Sequence, residues 1–588
     1  MALANTDAES SAPDPPPAAP GAAGRSPTWV DGWRSGPRSV ALIVVGYLGL
    51  ALVAMKHLLA ESATQIFQGN ARAQAFSESM LVHGAHVITQ GQAPFHTDRI
   101  NFPDGVNPLA THGFLGLSIP LTPLTLVLGP ALTFAIAVTL CLVATAYAWY
   151  HVLYRHFGRS RLAAILAGAL GGLGPAMVSH AQGDLSRVAM FLVPFLIWWT
   201  LRLREPGRAL RNGLILGLLA AWQFLIDEEV LYLCVLGWVA FLIAYGLQHR
   251  AELRRQATPF LRGLAVAAIT GAVLVGYPLW VQLFGPQSHR GASAVAGPGA
   301  DVFSYFAFAA PSLATWPVGQ LHYAATSTDQ NAFFGWPLVL LLIGSLFVLR
   351  TAIVRAMAGA GIALAVLSLG TELMVKGRHT HVPGPWRIFA LVPALRPVPP
   401  ADLALAVVPF VVLLFAMIVE RGGKLVAELH LSRPEVPVRI AWYGLLAATL
   451  VPLVPAPIKA ITARVPAFVA DGTWRNYVPA GHSIAAVPSG VASSAALRWT
   501  ASTGLDLPFA GIDFGVPVSK AASGGKVQDV TDRQRAAVRA DLRYGRVSAV
   551  VLMPQRNEEA VRQTASSLLG FYPLWVDGVW LWDLRTVA

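Results

Sequence analysis

The sequence predicts a polytopic α-helical membrane protein of about eleven spans with a small extracytoplasmic α/β domain at its C-terminus. Three observations carry this expectation. Hydrophobic residues make up 55% of the 588 and charged residues 13%, against roughly 25% charged in a soluble domain, and mean hydropathy is +0.54. Apolar stretches of roughly 15–22 residues recur between short basic loops, and bundled helices satisfy every backbone group in lipid. From about residue 456 the pattern changes to short strand-like and helical runs in alternation. The strand-length alternation of a membrane barrel is missing from the apolar region.

Residues 1–37 read as a disordered cytoplasmic tail, with Pro-Asp-Pro-Pro-Pro-Ala-Ala-Pro at 13–20 and no core-forming residues. The net charge of +12 lies mostly in short loops, so it reports topology and gives no reason to expect nucleic acid. Arg25, Arg34 and Arg38 precede the first span (about 39–60) and place the N-terminus in the cytoplasm. Segment 113–128, broken by Pro120 and Pro123, reads as a re-entrant or interfacial helix before a span at about 131–153. Spans then follow at about 162–180, 188–203, 212–227, 229–248, 260–282, 336–350, 356–374, 402–420 and 439–455. With these, Arg159/Arg161, Arg202/Arg204/Arg208/Arg211, Arg250/Arg254/Arg255, Arg350/Arg355 and Arg421/Lys424/Arg433/Arg439 all face the cytoplasm. The transmembrane domain so defined is 38–455, with outer loops 61–112, 283–335 and 375–401; proline-broken 385–400 reads as a second re-entrant segment.

In 456–588, strand patterns at 483–488, 547–554 and 578–584 alternate with helical ones near 491–502, 531–544 and 556–569. Five tryptophans there, Trp474, Trp499, Trp575, Trp580 and Trp582, read either as core or as faces for sugar rings. Cys141 and Cys234 fall inside predicted spans and read as packing residues.

The stretch Phe-Leu-Ile-Asp-Glu-Glu-Val-Leu-Tyr (224–232) sets Asp227, Glu228 and Glu229 between two apolar runs. Carboxylates are costly in hydrocarbon, so acids at that depth mark either a span end in the headgroup region or a functional site. A second outer turn, 180–187, carries His180, Asp184 and Arg187. If the spans form one bundle, these turns and loop 61–112 converge on one outward-facing cleft. That loop supplies Glu61, Glu78, Asp98 and Asp104, with His83, His86, His96 and His112. His83 and His86 share a helix face, a spacing that suits a metal only with a third ligand. Asn-Phe-Pro-Asp-Gly-Val-Asn-Pro (101–108) is a turn by composition.

Four stretches in order, 91–109, His-Ala-Gln-Gly-Asp-Leu (180–185), 223–231 and Pro-Trp-Arg-Ile-Phe-Ala-Leu-Val-Pro (385–393), resemble actinobacterial GT-C-type multi-spanning glycosyltransferases. The resemblance covers most of the chain from about residue 60. It implies a GT-C-like helical bundle with a long first outer loop, interfacial helices and an outer C-terminal domain. It implies transfer of a sugar from a polyprenyl-phosphate donor, held in the lipid bilayer, to a cell-envelope glycan acceptor at a bacterial plasma membrane. A carboxylate would take the acceptor proton, and Mg²⁺ or Mn²⁺, where used, would neutralise the leaving phosphate. The family pattern carries Gly-Asn-Asp-Pro after the first span where this chain reads Gly-Asn-Ala-Arg-Ala-Gln (69–74), so Ala71 stands in the place of the acid. A later Pro-x-Arg-Phe pattern reads Pro-Ala-Asp-Leu at 400–403.

The expected catalytic residues are Glu78, Asp98, Glu228 and Glu229. Arg187, Arg387, Arg396, His180, Asp184, Asp104 and Asp227 are expected to bind the donor phosphate or the rest of the substrate. Two other readings stand beside this one. Loss of the acid at Ala71 suits a non-catalytic scaffold or glycan-binding member. A lipid or sugar transporter would instead place its charges in mid-span, and few are found there.

Overall fold

The computed structural model describes residues 37–110, 113–288, 299–315, 323–324, 329–389, 391, 399–428, 435–488 and 493–586. The chain divides into two compact units, Met1–Val45 and Gly46–Ala588. Helix α1 (Pro37–Ala60) begins in the first; everything below concerns the second.

After α1 come a short strand β1 (Gln65–Phe67), helix α2 (Ala71–Thr89), strand β2 (Ile100–Phe102), a one-turn helix α3 (Leu115–Ser118) and the long α4 (Thr122–His151). Segment 113–128, expected to be re-entrant, is therefore α3 plus the first two turns of α4. It ends where the sequence breaks it: Gly129 takes φ 76°, ψ 167° ahead of Pro130, a left-handed φ that glycine adopts without a Cβ clash. α5 (Arg161–Leu173) and α6 (Pro175–His180) are one apolar run split at Gly174, whose extended ψ is what the following proline favours. Short α7 (Leu185–Val188) leads into α8 (Val193–Arg202), followed by α9 (Ala209–Ile226), α10 (Glu228–Gln248) and α11 (Arg250–Phe284). α12 (Trp336–Val348), α13 (Ala352–Leu367), α15 (Leu403–Glu428) and α16 (Glu435–Leu450) complete the apolar helices.

By length and composition, eight helical runs among the described residues can cross a membrane: 37–60, 122–156, 161–180, 185–202, 209–226, 228–248, 250–284 and 400–428. The other three expected spans are apolar helices of 10–17 residues. The chain is a multi-pass membrane protein. Arg159 and Lys424 both pair with Glu420 at 2.9 Å, which joins two of the basic segments at one end of the bundle.

Helix α5 lies against α4 and α15, and its approach to α4 depends on glycine. A Cβ on Gly172 would fall 2.1 Å from the Ala146 amide nitrogen, and one on Gly168 would fall 2.8 Å from the Ala146 carbonyl oxygen. Since Ala146 meets Gly172 with backbone, which cannot swing aside, Gly172→Ala is expected to destabilise by about 1–3 kcal/mol. Thermal unfolding in detergent reads this directly, and an unchanged Tm would mean that the two helices separate at no cost.

Loop 375–401 holds a hairpin of β3 (Glu372–Val375) and β4 (Arg378–Pro383) and a one-turn helix α14 (Trp386–Phe389). Half of the expected re-entrant segment 385–400, residues 390 and 392–398, lies outside the described residues. Beyond it β5 (Ala460–Thr462) pairs with β1, and α17 (Ala467–Ala470) leads to β6 (Ser483–Val487), α18 (Ser494–Ser502), β7 (Phe509–Ala510), α19 (Gly515–Gly524), α20 (Asp532–Tyr544), β8 (Val547–Leu552), α21 (Glu558–Leu569), β9 (Leu574–Val576) and β10 (Val579–Asp583). These strands form a sheet of order β2-β7-β6-β8-β10-β9. β6, β7, β8 and β2 run parallel, while β10 is antiparallel to both neighbours. The edge strand β2 comes from the first loop, so residues beyond 456 do not build this sheet alone. Its two faces bury separate cores, one against α19, α20 and α21 and the other around α17 and α18. Trp474, Trp499 and Trp582 are core; Trp575 is exposed and its ring meets Trp580 with centroids 5.0 Å apart.

Candidate functional site

Four chain segments bring polar side chains to one place: the turn between α6 and α7, the turn between α9 and α10, Asn331 ahead of α12, and the start of α15. Asp227 ends α9 and caps α10. Its extended backbone (φ −163°, ψ 109°) lets Oδ1 accept from the Val230 amide at 3.0 Å, while Oδ2 accepts from the Ser186 hydroxyl at 2.7 Å. Both oxygens are thus used in capping α10 and in joining the two turns.

Arg187 projects from α7 into three carboxylates. Its Nη2 lies 2.5 Å from Glu229 Oε2 and 3.2 Å from Asp402 Oδ2, and its Nε lies 3.4 Å from Asp184 Oδ2. Side-chain exposure is 12% for Arg187, 11% for Glu229 and 6% for Asp402, against 26% for Asp184, which is the most accessible member. A guanidinium fork can serve several carboxylate oxygens at once. One cation therefore organises three acids, with Asp227 adjacent.

A second chain of contacts closes the knot. Asn331 Nδ2 donates to Asp402 Oδ1 at 3.1 Å, and Asn331 Oδ1 lies 2.7 Å from His180 Nε2. His180 is fully buried and its Nδ1 has no hydrogen-bond partner; it stands 3.8 Å from Asp184 Oδ2. Glu229 Oε1 is likewise buried without a partner. Two unpartnered polar atoms in one charged knot leave hydrogen-bonding capacity for a bound molecule.

The first loop reaches the same turn. A Cβ on Gly183 would fall 2.6 Å from the Asn70 carbonyl oxygen, and Ser77 Oγ donates to the Gly183 carbonyl at 3.1 Å. Ala71, where the resemblance leads one to expect an acid, is thus one residue from the chain that carries Asp184.

Of the expected site residues, the structure gathers His180, Asp184, Arg187, Asp227 and Glu229. Glu228 sits beside them on Gln282, whose Nε2 donates to it at 3.0 Å and also to the Leu109 carbonyl. Glu78 is elsewhere. It is buried, accepts from Gln74 Nε2 at 2.9 Å, and lies 3.6 Å from buried Arg498 Nη1; that guanidinium also donates to the Gln65 and Ser62 carbonyls. Burial pushes the Glu78 carboxyl above the usual carboxylate range in spite of Arg498 and Gln74. It joins α2 to α18 through Arg498.

Asp98 has 63% of its side chain exposed, with Arg99 3.9 Å away. Asp104 is exposed and accepts from the Tyr544 hydroxyl, so it fastens the first loop to α20. The turn around it is a clamp as well: Asn101 (φ 60°) donates to the Gly105 carbonyl, and buried Asn107 donates to the Val281 and Pro286 carbonyls at the end of α11. Arg387 is exposed and forms no ion pair among the described residues. Arg396 and His112 lie outside the described residues. His83 Nε2 binds the Pro94 carbonyl at 3.0 Å, and burial pushes its ring below the usual histidine range.

Asp402 and Asn331 are members of the knot that sequence reasoning missed. Among the described residues no group of three or more His, Cys, Asp or Glu side chains is arranged to hold a metal ion. In the knot, the position between Glu229, Asp402 and Asp184 that a divalent cation would need is taken by the Arg187 guanidinium, so Mg²⁺ or Mn²⁺ does not fit there.

No family model matches the sequence, and no curated protein matches it. Solved structures do. The Archaeoglobus fulgidus oligosaccharyltransferase in its apo form superposes with a TM-score of 0.50 at 11% identity, over 87% of this chain and 69% of that one. The arabinofuranosyltransferase AftD from Mycobacteria superposes with a TM-score of 0.50 at 15% identity, over 93% of this chain and 41% of that one. The chain therefore has the GT-C fold of these membrane glycosyltransferases.

Proposed function

We propose that the protein is a membrane glycosyltransferase that moves a sugar from a polyprenyl-phosphate donor to a cell-envelope glycan on the outer face of a bacterial plasma membrane. The observation that carries this reading is the Arg187 knot. Carboxylates from separate helices gather where span ends converge, beside the first loop, with unpartnered atoms at Glu229 and His180. The fold supports the reaction class by analogy. The basic loops support a cytoplasmic N-terminus, and hence a knot and a C-terminal α/β region, 456–588, on the outer side.

In this reading the carboxylates accept hydrogen bonds from sugar hydroxyls, and Asp184, the most accessible, takes the proton of the attacking hydroxyl. Arg187 holds the acids in place. It is already engaged by three carboxylates, so the donor phosphate falls to Arg387 and, beyond the described residues, Arg396. Asp184 supplies the acid that Ala71 lacks.

The test is transfer from a panel of radiolabelled polyprenyl-phosphate sugars to an envelope-derived acceptor by the purified full chain. Wild type is expected to transfer, and Asp184→Asn to lower kcat by about 100-fold or more with donor binding kept. Donor binding without any transfer would favour a non-catalytic glycan-binding member, a reading to which the exposed Trp575 and its neighbour Trp580 lend some support.

A further inference from the structure

The ring of His180 is held in one tautomer. Asn331 Nδ2 donates to Asp402, which turns Asn331 Oδ1 toward His180 Nε2 at 2.7 Å. An amide oxygen only accepts, so Nε2 carries the hydrogen and neutral Nδ1 is left as a bare lone pair. That lone pair has no hydrogen-bond partner and faces Asp184 Oδ2 at 3.8 Å from a fully buried ring. Two acceptors set face to face repel unless a proton stands between them. The charged groups facing the ring are Arg187, Asp184 and Asp402. Asn331 bridges Asp402 to the Nε2 side of the ring, and Arg187 has no proton to give up at ordinary pH. Asp184 is therefore the partner available to Nδ1.

We propose that His180 and Asp184 form a proton-accepting pair in which His180 is the positioning residue behind the carboxylate. This rests on the glycosyltransferase reading above. As the acceptor oxygen bonds to the anomeric carbon, the carbon–oxygen bond to phosphate breaks and its electron pair leaves with polyprenyl phosphate. The acceptor's proton passes to Asp184 Oδ2 and is then shared with His180 Nδ1. The Asn331–Asp402 arm keeps Nε2 occupied, so Nδ1 is the nitrogen that receives it.

His180→Gln tests the pair, because the glutamine amide can still donate to Asn331 while Nδ1 is lost. In the transfer assay it is expected to lower kcat about tenfold or more at unchanged KM, with the limb of the pH profile that belongs to the base altered. Wild-type kcat and an unchanged profile in this variant would overturn the proposal. Spectra of ¹⁵N-histidine in the full chain in lipid nanodiscs give a readout independent of activity, with His180 identified among the fifteen histidines by its absence in His180→Gln. The expected result is the Nε2–H tautomer, with an Nδ1 resonance that moves in Asp184→Asn while Nε2 stays. An Nδ1–H tautomer, or an Nδ1 indifferent to Asp184→Asn, would refute the pairing. If wild type transfers no sugar from any donor, the glycosyltransferase reading fails, and the spectra alone decide whether the pair exists.

Discussion

Arg187→Met is expected to cost about 3–5 kcal/mol of stability, because removing one partner of a buried ion pair leaves the others uncompensated. Here one side chain compensates three. Glu229, Asp402 and Asp184 all lie within 3.4 Å of the guanidinium, and Asp227 is close behind. Without the cation, carboxylates from α10, α15 and the α6–α7 turn would repel one another across a site that water scarcely reaches. Methionine fills much the same volume, so the loss would be electrostatic more than a matter of packing. Arg187→Lys should fall between, since an ammonium is a point charge and cannot present a planar fork to three acids. Thermal unfolding of the purified chain in detergent orders the three proteins as wild type, Lys, Met. A methionine variant as stable as wild type would mean that the acids are solvated and that the knot does not exist as described.

Much of the bundle was legible because apolar length is a strong signal. Each of the eight long helical runs meets an expected span, although 122–156, 250–284 and 400–428 overrun the expected ends, and the breaks at Gly129 and Gly174 sit beside prolines visible in the sequence. The strand patterns near 483, 547 and 578 also meet strands, since alternation and turn residues are local properties. What sequence could not show was pairing across distance. Three adjacent acids look equivalent in sequence, yet Asp227 caps α10, Glu228 rests on Gln282, and Glu229 pairs directly with Arg187. Asp402 carries a readable signal, an acid at the mouth of a long apolar run. Asn331 offered none, being one neutral amide in a long loop. An acid soon after the first span suits a base, and nothing local to Glu78 announces that Arg498 will arrive from the far end of the chain to meet it.

That pair makes the second large prediction, and its sign follows from burial. Glu78→Ala leaves Arg498 without its carboxyl partner in the interior and is expected to destabilise by about 3–5 kcal/mol. Glu78→Gln keeps an oxygen that can accept from Gln74 and face Arg498, so near neutral pH it should cost about 1 kcal/mol or less. Both variants also differ from wild type in how stability depends on pH. Because burial raises the Glu78 pKa in the folded chain above its ordinary value of 4.5, the folded state holds this proton more tightly than the unfolded one. The stability this adds is complete below the unfolded pKa and is lost as pH rises through the folded value. Glutamine does not titrate and suffers no such loss. Alanine does not titrate either, so the Tm of both variants should gain on wild type as pH is raised above 4.5, with the gap between Glu78→Gln and Glu78→Ala unchanged. A wild type that instead gained on Glu78→Gln over the same range would show that Arg498 outweighs burial and that the carboxyl is held ionised.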